Sequence, residues 1–245
     1  MESWLAVPDV PLAAEGPTTA TFLALGIVDL RKAARWLYEL PYGRNSERSN
    51  WRLVPIERRG TCSTKHALLA SLASEQRVPL LLTLGLYEMC EANTPGVGAT
   101  LARYHLVALP EAHCYVRFEE TRIDVTRAGI LPAAPISFQY EESIEPDQIG
   151  EYKVEMHRRF LRSWVERHNP PHSLPWEEAW RVREACIAAL GSRWDRDSHS
   201  GSGALAPFYN DRPILHSHFL AAKLDEARFA GQARDSGPVA VKWLA

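Results

Sequence analysis

Cys62 follows Gly60 and Thr61 and precedes an Ala- and Leu-rich run, His66 to Gln76, with the composition of a helix. A thiol in the first turn of a helix meets unpaired backbone N–H groups and the positive end of the helix dipole, and both favour its thiolate. The same N–H groups can stabilise an oxyanion. A thiolate nucleophile needs a base that takes up its proton and returns it to a leaving group, and imidazole has the pKa for that work. His113 opens a strand-like segment further along the chain. An imidazole in turn needs an acceptor that fixes its tautomer, and Asp124 falls on the next strand or the far arm of a hairpin. Cysteine is also among the most buried residue types, and a strand histidine is commonly structural. What links the three is that each stands in the local setting its role requires.

Other elements must bring them together. Residues 1–18, rich in Pro, Ala and Gly, read as a loose lead-in. From Thr19, the residues Phe22, Leu25, Leu30, Ala34 and Leu37 recur mostly at steps of three and four, which predicts one helix ending near Leu40, ahead of Pro41 and Gly43. Residues 41–59 form a long polar connection anchored by Trp51, Leu53, Val54 and Ile56, and a loop of that length in a compact domain tends to be functional. Residues 78–89 read as a strand buried on both faces, and 112–126 as two strands or one bent strand turning at Glu119 and Glu120. The Pro- and Gly-marked stretches 91–105 and 132–147 read as loops. Residues 148–168 predict an amphipathic helix with Tyr152, Met156, Phe160 and Trp164 on one face. A last helix from Pro175 to Leu190 is expected to bury Trp176 and Trp180. Beyond Gly191 the composition turns to Ser, Gly, His and Asp, with a short helix expected at Phe219 to Ala230. The expected organisation is therefore a lead-in (1–18), a catalytic domain (19–190) and a weakly packed extension (191–245).

Composition narrows the function classes. A chain of 245 residues with 46% hydrophobic and 24% charged residues is an ordinary globular protein, long enough to bury a catalytic site. With 28 Lys and Arg against 30 Asp and Glu, no general basic field exists to recruit nucleic acid or anionic lipid. The four cysteines are far apart with no CxxC pair, which suits a reducing compartment. The N-terminus has no basic residue before Arg31 and is broken by prolines, unlike a signal peptide, and no apolar run reaches the roughly 20 residues of a membrane span. A soluble, cytoplasmic protein without membrane or nucleic-acid partners is expected.

The segment Gly60-Thr-Cys-Ser-Thr-Lys-His-Ala-Leu-Leu-Ala-Ser-Leu-Ala resembles the nucleophile helix of the transglutaminase-like superfamily, in which a small-residue turn delivers Cys to a helix followed by a buried strand. His113-Cys-Tyr-Val-Arg-Phe and Arg122-Ile-Asp124-Val-Thr126 are similar to that superfamily's His-x-aromatic-aliphatic and Asp-x-Thr strands, in the same order. The likeness covers residues 55–127. It implies an α+β, papain-like core in which a Cys-bearing helix packs on an antiparallel sheet. Cys62 would be the nucleophile, His113 the general base and acid, and Asp124 the residue that orients His113. It implies acyl transfer from a peptide, protein or small amide substrate through a thioester, to water or to an amine, with no cofactor. The flanking β-sandwich domains and acidic cation loop of the calcium-dependent animal enzymes are not matched.

Around this core, Asn45 is the candidate for a second oxyanion donor, with Trp51 next. Cys114 is expected to point away from His113 as packing. Lys65 and His66 are expected on the helix facing solvent or a loop, with His66 a weaker rival as base. Arg44, Arg48, Arg52, Arg58 and Arg59 make a basic stretch that is solvated or receives an acidic substrate. His199, His216 and His218 lack the companions of a metal site, and Trp164, Trp176 and Trp180 read as core. Two other functions compete: a non-catalytic binding or assembly protein retaining the fold, and an arylamine N-acetyltransferase-like acyltransferase, which the short His113 to Asp124 interval disfavours.

Overall fold

The apolar run after Pro79 becomes β1 (Leu80–Met89), which is inner in a four-stranded antiparallel sheet of order β3-β2-β1-β4. Its neighbours are β2 (Leu109–Phe118) and β4 (Phe138–Ser143), and β3 (Thr121–Ile123) pairs with the far side of β2. The computed structural model describes residues 2–13, 16–129, 132–168 and 174–200, with side chains as far as Gly191, all within one compact unit ending at Ser202. Its class is α+β, with seven α-helices among the described residues.

Alternation of side chains along a strand divides the core. Leu80, Leu82, Leu84 and Leu86 of β1, with Ala112, Cys114 and Val116 of β2, join one apolar cluster; Tyr87, Met89 and Leu109 join another. The first cluster is built on α4 (Cys62–Glu75), a central helix whose residues Cys62 to Ala70 are all buried. It also takes in α1 (Pro17–Ala24), α2 (Leu30–Glu39) and the turn α3 (Val54–Glu57). The second holds α5 (Gly98–Arg103), α6 (Glu151–His168) and α7 (Trp176–Ser200). The register sets His113 opposite Gly85. A Cβ at Gly85 would lie 2.4 Å from the Phe138 ring, so glycine there lets Phe138 lie over the sheet and stack on both His113 and Tyr115.

Several expectations are corrected. The single helix from Thr19 to Leu40 is two helices, because Gly26 adopts φ 77° and ends α1, while the Asp29 carboxylate accepts the Lys32 N–H and starts α2. The lead-in is packed: Val7 is fully buried, its carbonyl accepts from Arg31 Nε, and Ala13 N–H donates to Gln76. Residues 91–105 contain α5, and 132–147 contain β4, an edge strand of mixed polarity whose backbone bonds to β1 outweigh its weak apolar pattern. On α6 the buried stripe is Lys153, His157, Leu161 and Trp164, one residue on from the expected face except at Trp164. The polar pair on that stripe is what hid it. Helix α7 continues through Gly191 to Ser200, and Trp176 and Trp180 are half-buried under Arg162 and Arg158. The helix expected at 219–230 lies outside the described residues.

Candidate active site

The turn into α4 is tight: a Cβ at Gly60 would sit 2.8 Å from the Lys65 side chain and 3.1 Å from Val54, so only glycine fits. Thr61 caps the helix, its N–H donating to Thr64 Oγ1 at 3.0 Å, and Cys62 is the first helical residue. From β2, His113 reaches the same place. Its Nε2 hydrogen-bonds Asp124 Oδ2 at 2.8 Å, and His113 lines the same cavity as the Cys62 thiol, close enough for its charge to act on the sulfur. With Nε2 engaged by the carboxylate, Nδ1 is the nitrogen left for the thiol. The structure thus brings Cys62, His113 and Asp124 together in that order.

Electrostatics favour a charged pair. Burial works against a Cys62 thiolate, but Lys153 and the His113 imidazolium overcome it and bring the thiol down to about 6. Burial likewise works against the imidazolium, yet Asp124 and the thiolate push His113 up to about 10. Asp124 is held well below the usual carboxylate range, against burial, by the charge and hydrogen bond of His113. Its other oxygen accepts the Thr126 N–H at 2.8 Å, and its own N–H donates to Ser3 Oγ at 2.6 Å, so the N-terminal segment closes one side of the site.

Lys65 and His66 are completely buried rather than solvent-facing. Because His66 Nε2 accepts the Val125 N–H at 2.8 Å, its proton must sit on Nδ1, which donates to the Cys62 carbonyl at 2.7 Å. Burial lowers its pKa to about 4, so His66 is a neutral strut, not a base. Lys65 Nζ donates to the carbonyls of Leu40 (2.7 Å) and Thr126 (2.8 Å), and burial brings it down to about 7. Both residues tie the segment carrying Asp124 to the helix carrying Cys62. They are positioning residues, and their types are what a buried junction between two backbones needs.

Asn45 is not brought to the cysteine. Its amide hydrogens go to Glu57 Oε2 and the Arg59 carbonyl, both at 3.0 Å, and it lines neither cavity beside Cys62. Trp51 is likewise committed, donating to Asp147 at 3.0 Å. Two residues that sequence reasoning passed over stand there instead. Tyr42, in the same polar loop, is buried and lines both cavities; burial and the nearby charges of Cys62 and Glu111 keep its hydroxyl protonated. Lys153 of α6 is buried and donates to Ser63 Oγ at 2.7 Å. Only its place one helical turn before His157 and two before Leu161, on one face of α6, could have signalled it.

The basic stretch is mostly neutralised by the fold. Arg44 and Arg48 pair with Glu184, and Arg52 with Asp147. Cys114 is fully buried in the first cluster, where burial raises its thiol to about 11. The His199 side chain, and all of His216 and His218, lie outside the described residues. Among the described residues no cluster of His, Cys, Asp and Glu is arranged to hold a metal, and no helix is long and apolar enough to cross a membrane.

Cys62 opens on two cavities. The larger, about 630 Å³, contains His113 and Asp124 and has walls that include Tyr38, Met89, Ile136 and Leu190. The smaller, about 110 Å³, lies at the start of α4 and is lined by Lys153, His157, Arg183 and Glu184. The chain matches no protein-family model, no curated protein and no solved structure.

Proposed function

We propose that this chain is a transglutaminase-like cysteine enzyme with a papain-like core that transfers or hydrolyses an amide-linked acyl group through a thioester on Cys62. The observation that carries the reading is one arrangement of side chains. Asp124 accepts from His113 at 2.8 Å, His113 and the Cys62 thiol share one cavity and each favours the other's charged form, and the thiol stands at a helix start beside that cavity of ligand size. Cys62 attacks the amide carbonyl, His113 gives its proton to the departing amine, and water or a second amine, deprotonated by His113, releases the acyl group. The carbonyl oxygen becomes an oxyanion, stabilised by the N–H groups at the start of α4 and by the Tyr42 hydroxyl.

The test is iodoacetamide labelling resolved for each of the four cysteines as pH is varied. A folded thiol pKa near about 6 makes thiolate the main form above that pH, and His113 stays protonated up to about 10. Labelling of Cys62 should therefore rise through pH 6, well below the usual thiol range, while acyl transfer falls again once His113 loses its proton near pH 10. In His113→Ala the rate at pH 7 should drop about a hundredfold, as the thiol returns toward its ordinary pKa. Labelling of Cys62 no faster than that of Cys90 would overturn the reading and favour a binding protein that keeps the fold.

A further inference from the structure

Among the described residues, the larger cavity holds one charged group left without an acceptor. Of its ionisable lining, Asp124 is bonded to His113, Glu111 is held by both ends of the Arg183 guanidinium at 2.6 Å, and Glu2 accepts from Trp4. Arg127 alone has no acceptor among the described residues, and its buried Nη1 is left without any hydrogen bond. Beside it, the buried hydroxyl of Thr126 also lacks a partner and lines the same cavity. Buried donors without partners are costly, and native structures keep them where something else completes them.

Position makes the pair usable. The Thr126 N–H is fixed on Asp124 and its carbonyl on Lys65, so the backbone that presents Arg127 is held from both sides. The guanidinium lies 5.7 Å from the centre of the Tyr42 ring, and Tyr42 lines both cavities with Cys62, so the cation and the nucleophile share the larger cavity with one aromatic side chain common to both.

We infer that Arg127 and Thr126 form a carboxylate subsite in the larger cavity, so that the acyl substrate carries a free carboxylate a few bonds from the amide that Cys62 attacks. The inference rests on the proposed nucleophile for its orientation. A guanidinium offers two parallel N–H donors that match the two oxygens of a carboxylate, and the threonine hydroxyl supplies a third. One positive charge without an acceptor among the described residues, with Asp124 and Glu2 lining the same cavity, suits a singly charged carboxylate and disfavours a phosphate dianion. The apolar remainder of the cavity takes the organic body between the two ends.

The experiment uses matched electrophiles: N-chloroacetyl-glycine and its amide, with the glycyl-glycine and triglycine homologues, scored by the rate of Cys62 labelling in the intact protein. Iodoacetamide is the reference for the nucleophile itself. At the spacer length that spans the cavity, the acid should label about tenfold faster than the amide, the contribution of a charge-assisted contact. Arg127→Gln should bring that ratio to about one, Arg127→Lys should keep part of it, and Thr126→Val should reduce it a few-fold, with iodoacetamide rates unchanged throughout. Equal rates for acid and amide at every length, or an advantage that survives in Arg127→Gln, would overturn the inference. If iodoacetamide itself shows no preference for Cys62, the enzymatic reading fails separately and the subsite is read by thermal shift. N-acetylglycine that raises Tm in the wild type but not in Arg127→Gln then supports it, and no shift in either overturns it.

Discussion

Beside Cys62 the small cavity carries Arg44, Arg48, Lys153 and Arg183, each already bonded to an acceptor within the protein; the large cavity carries Arg127, which has no acceptor among the described residues. The two sets of cations therefore do different things. Of the paired cations, Lys153 lowers the thiol and Arg183 ties α7 to β2 before any ligand arrives, because their geometry is complete. An unpaired one is completed by what binds. A chain with a net charge of -2 can hold a thiolate because the positive potential is local, built from the buried Lys153 and His113 near the start of α4.

The sharpest way to break the paired side is to remove Arg183, which grips Glu111 through two contacts of 2.6 Å and Glu184 through one of 2.7 Å. Arg183→Met leaves a buried carboxylate without its partner and should cost about 3–5 kcal/mol in denaturant unfolding, most of it recovered in the double variant with Glu111→Gln. Burial alone would push Glu111 up; Arg183 and His157 hold it down to about 2, below its ordinary 4.5. A depressed carboxyl stabilises the folded state above its unfolded pKa and loses that contribution as pH falls through the folded one. In Arg183→Met the charged form is instead disfavoured, so the deficit against wild type should be greatest near pH 7 and shrink as Glu111 protonates. A deficit that stays the same at every pH would assign the loss to packing of α7.

Tyr42 touches both cavities, and its removal separates two kinds of chemistry at the same thiolate. Acylation by p-nitrophenyl acetate passes through a tetrahedral oxyanion, whereas displacement of iodide from iodoacetamide does not. Tyr42→Phe should slow the acylation burst about a hundredfold, the usual loss for one oxyanion donor, and leave alkylation unchanged. Equal slowing of both would make Tyr42 a structural neighbour of Cys62.

How much of this was legible in the sequence follows from what each element depends on. Cys62 at a helix start, β1 and the β2–β3 hairpin were readable because a small-residue turn, a continuous apolar run and a polar turn at Glu119 and Glu120 are local signals. Strand β4 was not, since half-buried residues such as Glu141 and Tyr140 earn their place only by pairing with β1. The site divides the same way. His113 and Asp124 have motif context, but Lys65, His66 and Lys153 are polar residues buried by partners distant in sequence, and composition reads such residues as surface. The same bias placed the inner face of α6 one residue off.

Lys153 gives the finest test of the comparison, because its charge and its hydrogen bond can be separated. Glutamine at that position can still donate to Ser63 Oγ, now 2.7 Å from the ammonium, but brings no charge. Lys153→Gln should therefore raise the Cys62 thiol above its value of about 6. A rise of about one unit slows iodoacetamide labelling roughly fivefold at pH 6 and leaves it unchanged at pH 9, where the thiolate dominates in both proteins. Lys153→Arg, which keeps the charge, should hold the wild-type midpoint. A midpoint that does not move in Lys153→Gln would mean that His113 and the helix start hold the thiolate without the small cavity, whose paired cations would then serve the packing of α6 and α7 alone.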